Sequence, residues 1–449
     1  MKRVLVVVGV VGLATVMLLV GGLGLARHVR SAPRAAGPPA GVGSAASLRD
    51  RPAIPAGSLS QTIASLQAHL RAAPKDWRSY AELGLAHVQQ ARVSADPTYY
   101  PKAQGVLQRS LQLQPAGNFD ALTGMAALAA ARHDFSGALA WGERAEQANP
   151  YNANVYAVIG DAEVELGRYD DAFATFQKMI DLKPDLSTYA RVSYAWELQG
   201  SYPNAIKAMN LALEAAGSEA DAAWASNQLG DLNFNSGKLD RAESYYREGV
   251  ARDGWFVPSH AGLAKVEAAR GDLDAAIRDY TWVVQRYPLP EYVIALGDVY
   301  TASGRQDQAA ARQYALLHVE ERLFQANGVN MDLEIALFDA DHGVDLAGGL
   351  AAARAEWARR QSVSVADALG WELYANGRYD EALTYSTEAL HLGTQNALFY
   401  FHQGMIEKAL GKSGAARRDL AKALSINPHF SVLWSKPAAA ALASLGGAP

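Results

Sequence analysis

Apolar residues recur at helical spacing in paired blocks along this chain, and residues 154–185 show the pattern most clearly. Tyr156, Ile159 and Gly160 lie at positions i, i+3 and i+4, which predicts one face of a helix. Gly167 then predicts the end of that helix, because a residue without Cβ adopts the left-handed conformation at little cost. A second apolar stripe follows directly and consists of Tyr169, Ala172, Phe173, Phe176, Met179 and Ile180. The block is therefore predicted to form two helices that bury their apolar faces against each other.

The turn between these two helices recurs in recognisable copies. Its pattern is Gly-x-Tyr/Leu-Asp-x-Ala, as in GRYDDA, GKLDRA, GDLDAA and GRYDEA. The turn glycines are Gly167, Gly200, Gly237, Gly271, Gly304, Gly343, Gly377 and Gly411, and they lie 33 to 39 residues apart. A self-similar period of this length is typical of a solenoid in which each helix pair stacks on the next.

The pattern resembles that of tetratricopeptide repeat proteins, whose helix-turn-helix unit of about 34 residues has small residues at its eighth and twentieth positions. The eighth position is matched by Gly84, Gly160, Gly230, Gly297, Gly370 and Gly404. The twentieth is matched by Ala138, Ala172, Ala205, Ala242, Ala276, Ala309, Ala382 and Ala416. The resemblance covers residues 77–430 and implies an all-α fold, a right-handed superhelical α-solenoid of about ten helix-turn-helix units.

The segments around this array have separate predictions. Residues 58–76 are predicted to form an N-terminal capping helix, and residues 431–449 a C-terminal capping helix and tail, because the two ends of a repeat stack need cover. Within the array, residues 327–360 are expected to form a degenerate unit. There Gly348 and Gly349 stand where the family has alanine.

The N-terminus differs in composition from the rest of the chain. Residues 4–26 include no charge in 23 positions, which is long enough for a helix to cross the hydrocarbon core of a bilayer. We interpret residues 1–30 as a transmembrane anchor, with a cleaved signal peptide as the alternative. Residues 31–57, rich in Pro, Ala and Gly, are predicted to be a flexible linker. We expect a bacterial, membrane-anchored protein with extracytoplasmic repeats; a secreted protein and an adaptor facing the cytoplasm are the alternatives.

Composition and motifs exclude several classes of protein. The formal net charge is −5 with both signs interspersed, whereas a nucleic-acid binder needs a basic face to displace counterions. The chain has no cysteine, which excludes disulfides, thiolate metal sites and thiol nucleophiles. It also lacks a GxSxG elbow, a phosphate-binding loop and an HExxH pair. The sequence therefore predicts a protein that is not an enzyme and that uses no cofactor.

One turn, DADHGVD, concentrates side chains able to bind a metal. Asp339, Asp341, His342 and Asp345 lie within it, but a calcium-binding loop requires an acid or amide where Gly343 stands. We therefore predict no metal site, and expect a helix end at Gly343 followed by an Asp345 cap. A metal- or ligand-binding accessory protein of a membrane transporter or envelope complex is the alternative function.

The resemblance also implies a concave groove lined by the first helix of each pair. Its second, fifth, ninth and twelfth positions give an acidic and aromatic set that we predict to bind a partner: Asp161, Tyr194, Trp224, Asn227, Asp231, Phe234, Asp298, Trp371, Tyr374, Phe401 and Met405. Carboxylates and rings suit an extended segment with basic and aromatic or aliphatic side chains. The predicted function is a non-enzymatic scaffold for protein–protein interactions at the cell envelope, with a protein or peptide partner of unknown identity.

Overall fold

The structure is a computed structural model that describes residues 59–305 and 309–447. These residues form 22 α-helices and no strand. The predicted anchor, residues 1–30, and the predicted linker, residues 31–57, lie outside the described residues. Within the described part, no helix has both the length and the apolar character needed to cross a membrane.

Ten helix pairs follow one another along the described chain. In chain order the helices are α1 (Leu59–Ala72), α2 (Trp77–Ser94), α3 (Tyr99–Leu113), α4 (Phe119–Ala131), α5 (Phe135–Ala148), α6 (Ala153–Glu165), α7 (Tyr169–Leu182), α8 (Leu186–Leu198), α9 (Tyr202–Glu214), α10 (Glu219–Asn235), α11 (Leu239–Arg252), α12 (Val257–Arg270), α13 (Leu273–Arg286), α14 (Pro290–Ala302), α15 (Ala311–Ala326), α16 (Asp332–His342), α17 (Leu346–Arg359), α18 (Val363–Ala375), α19 (Tyr379–Ala389), α20 (Ala397–Ala409), α21 (Ser413–Ile426) and α22 (Ser435–Ser444). The pairs from α2 with α3 to α20 with α21 are units 1 to 10. In each unit, the turn joins the first helix to the second, and the linker leads to the next unit. This architecture confirms the all-α solenoid.

Small residues set the distance between the two helices of a unit. In unit 3, a Cβ at Gly160 would collide with the ring of Phe176, so the glycine gives this ring its place between α6 and α7. Gly230 and Tyr246 make the same contact in unit 5. The chain reverses between the helices of unit 3 at Gly167, whose φ of 77° lies in the left-handed region. The small positions of the repeat pattern therefore have the packing role predicted for them.

Unit 8 departs from the pattern for a local steric reason. Gly349 lies on α17, and a Cβ there would collide with the carboxylate of Glu372 and with Asp339. Glu372 comes from the first helix of unit 9 and is completely buried. Alanine does not fit at position 349 because the next unit fills that space with a carboxyl group. At the turn, Gly343 ends α16 with a φ of 62° and the side chain of Asp345 caps α17, as expected.

Terminal helices flank the array. On α1, the side chains of Ile63, Leu66 and Leu70 pack against Leu83 and Ala86 of unit 1. At the other end, α22 packs against unit 10 in a cluster that contains Trp434 and Leu442. Each end of the stack is thus covered by one helix, α1 at the start and α22 at the end.

The solenoid winds into two coils, units 1 to 5 and units 6 to 10, that touch along one line. Each turn of the first coil contacts the linker that follows the unit five places later, and we call this line of contact the seam. Seven hydrogen bonds with a side-chain partner cross it among the described residues: Arg92–Tyr287, His133–Asn330, Glu165–Arg360, Tyr169–Val363, Leu198–Thr394, Tyr202–Gln395 and Phe234–Asn427. The paired residues are always 193 to 197 positions apart. The same register is therefore kept over five successive units.

The seam satisfies backbone groups that the ends of the first helices leave unpaired. The last carbonyl groups of a helix have no partner within it. The carbonyl oxygen of Leu198, at the end of α8, accepts a hydrogen bond from Thr394 Oγ1 at 2.5 Å. The carbonyl oxygen of Phe234, near the end of α10, accepts one from Asn427 Nδ2 at 2.8 Å. Closing the two coils thus replaces water at these carbonyl groups.

The first helices form the interior of the solenoid and the second helices its outside. α6 buries twelve of its 13 residues, whereas α7 buries four of its 14. A helix buried on nearly every side is expected inside a larger body and not on an open groove. Neighbouring units and the second coil cover faces that an open solenoid leaves to solvent.

The substitutions Gly200→Ala and Gly377→Ala separate the contribution of the seam from that of the turn. The two glycines have φ values of 73° and 75°, so alanine strains both backbones alike, by about 1–2 kcal/mol. A Cβ at Gly200 would also collide with the carbonyl group of Gly393 across the seam, whereas nothing described lies within 4 Å of one at Gly377. We expect Gly200→Ala to lower the midpoint of urea unfolding, followed by circular dichroism, more than Gly377→Ala does. Equal midpoints would contradict the seam.

Candidate partner-binding site

The eleven residues predicted to face a partner all lie on first helices, and none of them is exposed. Seven are buried: Asp161, Trp224, Asn227, Phe234, Asp298, Trp371 and Phe401. Four are partly exposed: Tyr194, Asp231, Tyr374 and Met405. In this conformation the buried side chains offer little surface to a partner. Their role in binding stays a prediction.

Asp161 is engaged by the next unit. Arg191 donates Nε to one carboxylate oxygen of Asp161 at 2.8 Å and Nη2 to the other at 2.6 Å. The same guanidinium donates to the carbonyl and hydroxyl oxygens of Ser187, and its residue is only 1% exposed. A two-pronged ion pair of this kind is strongly directional, so it fixes unit 3 against unit 4.

Asp231 and Asp298 occupy equivalent positions and accept hydrogen bonds from a tyrosine of their own unit. The hydroxyl groups of Tyr246 and Tyr314 donate to them, each at 2.8 Å. Burial raises the pKa of both carboxyl groups. His342 brings Nε2 within 3.1 Å of Asp298, while its other ring nitrogen contacts a backbone carbonyl oxygen. Both ring nitrogens of His342 thus lie at hydrogen-bond distance from an oxygen atom.

The side chains of DADHGVD that could bind a metal have different environments and do not converge on one point. Asp341 accepts a hydrogen bond from Trp371 Nε1 at 2.6 Å, and burial raises the pKa of its carboxyl group well above the ordinary value. His342 is paired with Asp298. Burial raises the pKa of Asp339 to about 7. Within residues 59–305 and 309–447, no group of three or more His, Cys, Asp or Glu side chains is placed to hold a metal ion.

The predicted aromatic residues near the C-terminus pack against one another. The Trp371 ring stacks on Tyr374 at a centroid distance of 4.6 Å and on His402 at 4.1 Å. Phe401 lies 5.8 Å from Trp371 and 5.4 Å from Trp434, which precedes α22. These rings therefore join units 9 and 10 to the terminal helix.

A cavity lies on the seam, between the two coils. It has about 1010 Å³ of space, partly open to solvent. On one side its wall is formed by the C-terminal ends of α6, α8 and α10, and on the other by the N-terminal ends of α16, α18 and α20. Tyr194 is the member of the predicted set that lines it. We call this space the seam cavity.

The polar wall of the seam cavity includes three carboxyl groups, those of Glu165, Glu197 and Glu334. Burial raises the pKa of Glu197 to about 7, although Asn235 Nδ2 donates a hydrogen bond to it at 3.3 Å. One carboxylate oxygen of Glu334 is 4.0 Å from His133 Nδ1, and the other is buried without a hydrogen-bond partner among the described atoms. Glu334 therefore has acceptor capacity that the described part of the protein leaves unused.

Arg360 connects the coils at the edge of the seam cavity. Its guanidinium donates to Glu165 of the first coil and to Glu356 of its own unit. It is almost completely buried, at 5% exposure. Because Arg360 is already paired twice, the lining has carboxylate in excess and favours a ligand that brings hydrogen-bond donors or positive charge.

Sequence reasoning found only Tyr194 of this lining. Glu197 lies at the twelfth position of its unit, which the groove rule includes, yet it was not part of the predicted set, and Glu334 lies at the sixth position, which the rule does not include. Glu197 accepts a hydrogen bond from the next unit, but Glu334 lies beside His133 of the other coil. No single repeat encodes the pitch that brings the coils together. The available signal was a charged residue at the end of an otherwise apolar first helix, such as Glu165 on α6.

Comparison with known families identifies the repeat. One family model described as a tetratricopeptide repeat matches residues 262–321 and 368–429, and another with the same description matches residues 153–186 and 225–254. The chain therefore contains tetratricopeptide repeats, as the resemblance implied. No curated protein matches the chain.

Several solved structures are similar to the chain at low identity. The structure titled "Human IFIT1 dimer with PPP-AAAA" has a TM-score of 0.46 and 14% identity over 71% of this chain and 73% of that chain. The Cut9-Hcn1 hetero-tetramer of the APC/C has a TM-score of 0.39 and 17% identity, over 86% of this chain and 83% of that chain. The Pseudomonas aeruginosa pilF structure has a TM-score of 0.36 and 18% identity, over 48% of this chain and 94% of that chain.

The substitution Glu197→Gln tests the electrostatics of the seam cavity. The folded-state pKa of about 7 is above the ordinary 4.5, so between these pH values the folded chain holds a proton that the unfolded chain releases. The carboxyl group therefore makes the fold progressively less stable as the pH rises from about 4.5 to about 7. Glutamine does not ionise, so the variant should gain free energy of unfolding relative to wild type across this range, by at most about 1.4 kcal/mol per pH unit. The free energies of unfolding are measured by urea unfolding at several pH values. If the difference between variant and wild type does not change with pH, the burial of Glu197 is contradicted.

Proposed function

We propose that this chain is a non-catalytic scaffold that holds an extended segment of a protein partner in the seam cavity. Tetratricopeptide repeats imply a protein partner in general. The observation that carries the proposal is the lining of the seam cavity, where Tyr194, Phe399 and Phe430 present rings beside the carboxyl groups of Glu197 and Glu334. The cavity is partly open to solvent, so a segment could enter it from outside.

The chemistry of the lining defines the segment. A lysine or arginine would supply a donor to the oxygen of Glu334 that has none and a further donor to Glu197 beside Asn235. Charge-assisted hydrogen bonds of this kind are about twice as strong as neutral ones. An adjacent aromatic or aliphatic side chain would pack on Tyr194 and Phe399. Both coils contribute to the wall, so a bound segment would contact units 3 to 5 and units 8 to 10 together.

We further propose that residues 1–30 anchor the array in a bacterial-type envelope membrane, with the repeats outside the cytoplasm. The uncharged run of residues 4–26 supports the anchor, and the linker of residues 31–57 gives the array reach. Tethering raises the effective concentration towards membrane partners, so a modest affinity is sufficient.

A single cysteine in the linker tests the orientation, because the chain has none of its own. Ser44→Cys should react with a membrane-impermeant thiol reagent added to intact cells, and so should Ser425→Cys, since Ser425 is exposed on α21. A cysteine that reacts only after lysis would place the array in the cytoplasm, and release of the protein into the medium would indicate a cleaved signal.

Selection from a random peptide library displayed on phage tests the binding proposal with the full chain as bait. We expect peptides that combine Lys or Arg with an aromatic or aliphatic residue. Their affinity should fall by about tenfold or more for the double variant Glu197→Gln, Glu334→Gln, because two charge-assisted contacts are lost. The control is Glu219→Gln, Glu388→Gln, which removes the same charge from side chains that are 70% and 48% exposed. No enrichment, or equal loss in both double variants, would contradict the proposal.

A further inference from the structure

The seam uses one edge of each coil, and the other two edges have no such contact within the described residues. The turns of units 6 to 10 form one of them, the turn edge. The linkers that follow units 1 to 5 form the other, the linker edge. No described atom lies within 4 Å of a Cβ built at the turn glycines of the second coil: Gly271, Gly304, Gly343, Gly377 and Gly411. At Gly167 and Gly200 of the first coil, the same Cβ would collide with a linker.

One turn sequence occurs once on the seam and once on the turn edge. Gly-Arg-Tyr-Asp begins at Gly167 in unit 3 and at Gly377 in unit 9, and the two glycines have φ values of 77° and 75°. Tyr169 in the first copy is 5% exposed, and its hydroxyl oxygen accepts the backbone N–H of Val363 across the seam at 2.7 Å. Tyr379 in the second copy is 37% exposed. Unit 9 therefore presents the surface that unit 3 buries against a linker.

The linker edge carries the two most exposed large apolar side chains of the described chain. Tyr151, in the linker after unit 2, is 84% exposed, and Trp255, in the linker after unit 5, is 75% exposed. With Leu182 beside the linker after unit 3, and with Val344 and Tyr379 on the turn edge, they make up five of the ten exposed large apolar residues. Single exposed apolar residues are ordinary, but a concentration at two edges is typical of an interaction surface.

We infer that a second copy of this chain covers these edges, with the turn edge of one copy on the linker edge of the next. The reason lies within the chain itself. The turns of units 1 to 5 already pack, in one register, on the linkers that follow units 6 to 10. The ends of the two coils retain one half of that contact each. A second copy supplies the missing half at both ends, and Tyr379 would dock on a linker of that copy as Tyr169 docks beside Val363.

The arrangement of copies follows from the position of the edges. They differ from each other and lie at opposite ends of the two coils, so the contact is heterologous. Heterologous contacts add copies head to tail, into a filament or, if the rotation closes, into a ring. The seam cavity lies inside each copy and remains complete in such an assembly.

The molar mass of the full chain in detergent, measured by light scattering over a dilution series, tests this inference. We expect wild type to form particles heavier than one chain of 48.0 kDa. Tyr379→Glu removes the turn edge and Trp255→Glu the linker edge, so each variant alone should remain a single chain. A mixture of the two should form a dimer and nothing larger, because each variant keeps the edge that the other has lost.

Val319→Glu is the matched control, since Val319 is 51% exposed on α15 and lies on neither edge. It should associate as wild type does, and circular dichroism should show equal helicity in all variants. If the wild-type chain remains single, the proposal is wrong. This holds whether the edges are covered by residues 1–58 or are left uncovered. Association that survives in both edge variants also overturns it, and a mixture that does not associate contradicts the head-to-tail arrangement.

Discussion

The contact between the two coils is the constraint on which the rest of this structure depends. Stacking neighbouring units accounts for the local packing, but it leaves the helix ends of the first coil with carbonyl groups that need partners. Those partners come from linkers five units later, at Thr394 and Asn427. The approach requires a backbone without Cβ at Gly167 and Gly200. The residue that turns the chain inside one unit is thus also the residue that lets one coil lie on the other.

Closing the coils places charged side chains in the interior, and the chain accommodates them in two ways. Some are paired, as Asp161 is with Arg191 and as Arg360 is with Glu165 and Glu356. Others keep a proton, since burial raises the pKa of Glu372 to about 9. An unpaired buried charge is strongly destabilising, so a coil displaced by one unit would be penalised wherever Arg360 lost Glu165. The buried charges therefore contribute to selecting the register of the seam.

The same closure changes where a partner can bind. Asp161, Asp298 and Trp371 use their polar groups on side chains of neighbouring units, whereas Glu334 retains acceptor capacity on the wall of the seam cavity. The cavity has this shape only when both coils are in register. A ligand that binds the closed form and not the open one stabilises it by mass action, so partner binding and the closure of the coils are energetically linked.

The sequence by itself determined the repeating unit, the number of helix pairs and the small residues at their crossings. These features depend on contacts within one unit or between neighbours, which a period of 33 to 39 residues expresses directly. The tertiary structure alone decided that Asp161 faces an arginine, that position 349 must be glycine because Glu372 fills its space, and that residues about 195 positions apart form a cavity. The physical reason is that the pitch of a solenoid is the sum of small rotations over many units. Local apolar patterns fix each step closely enough to form a helix pair, but too loosely to state where the fifth step ends.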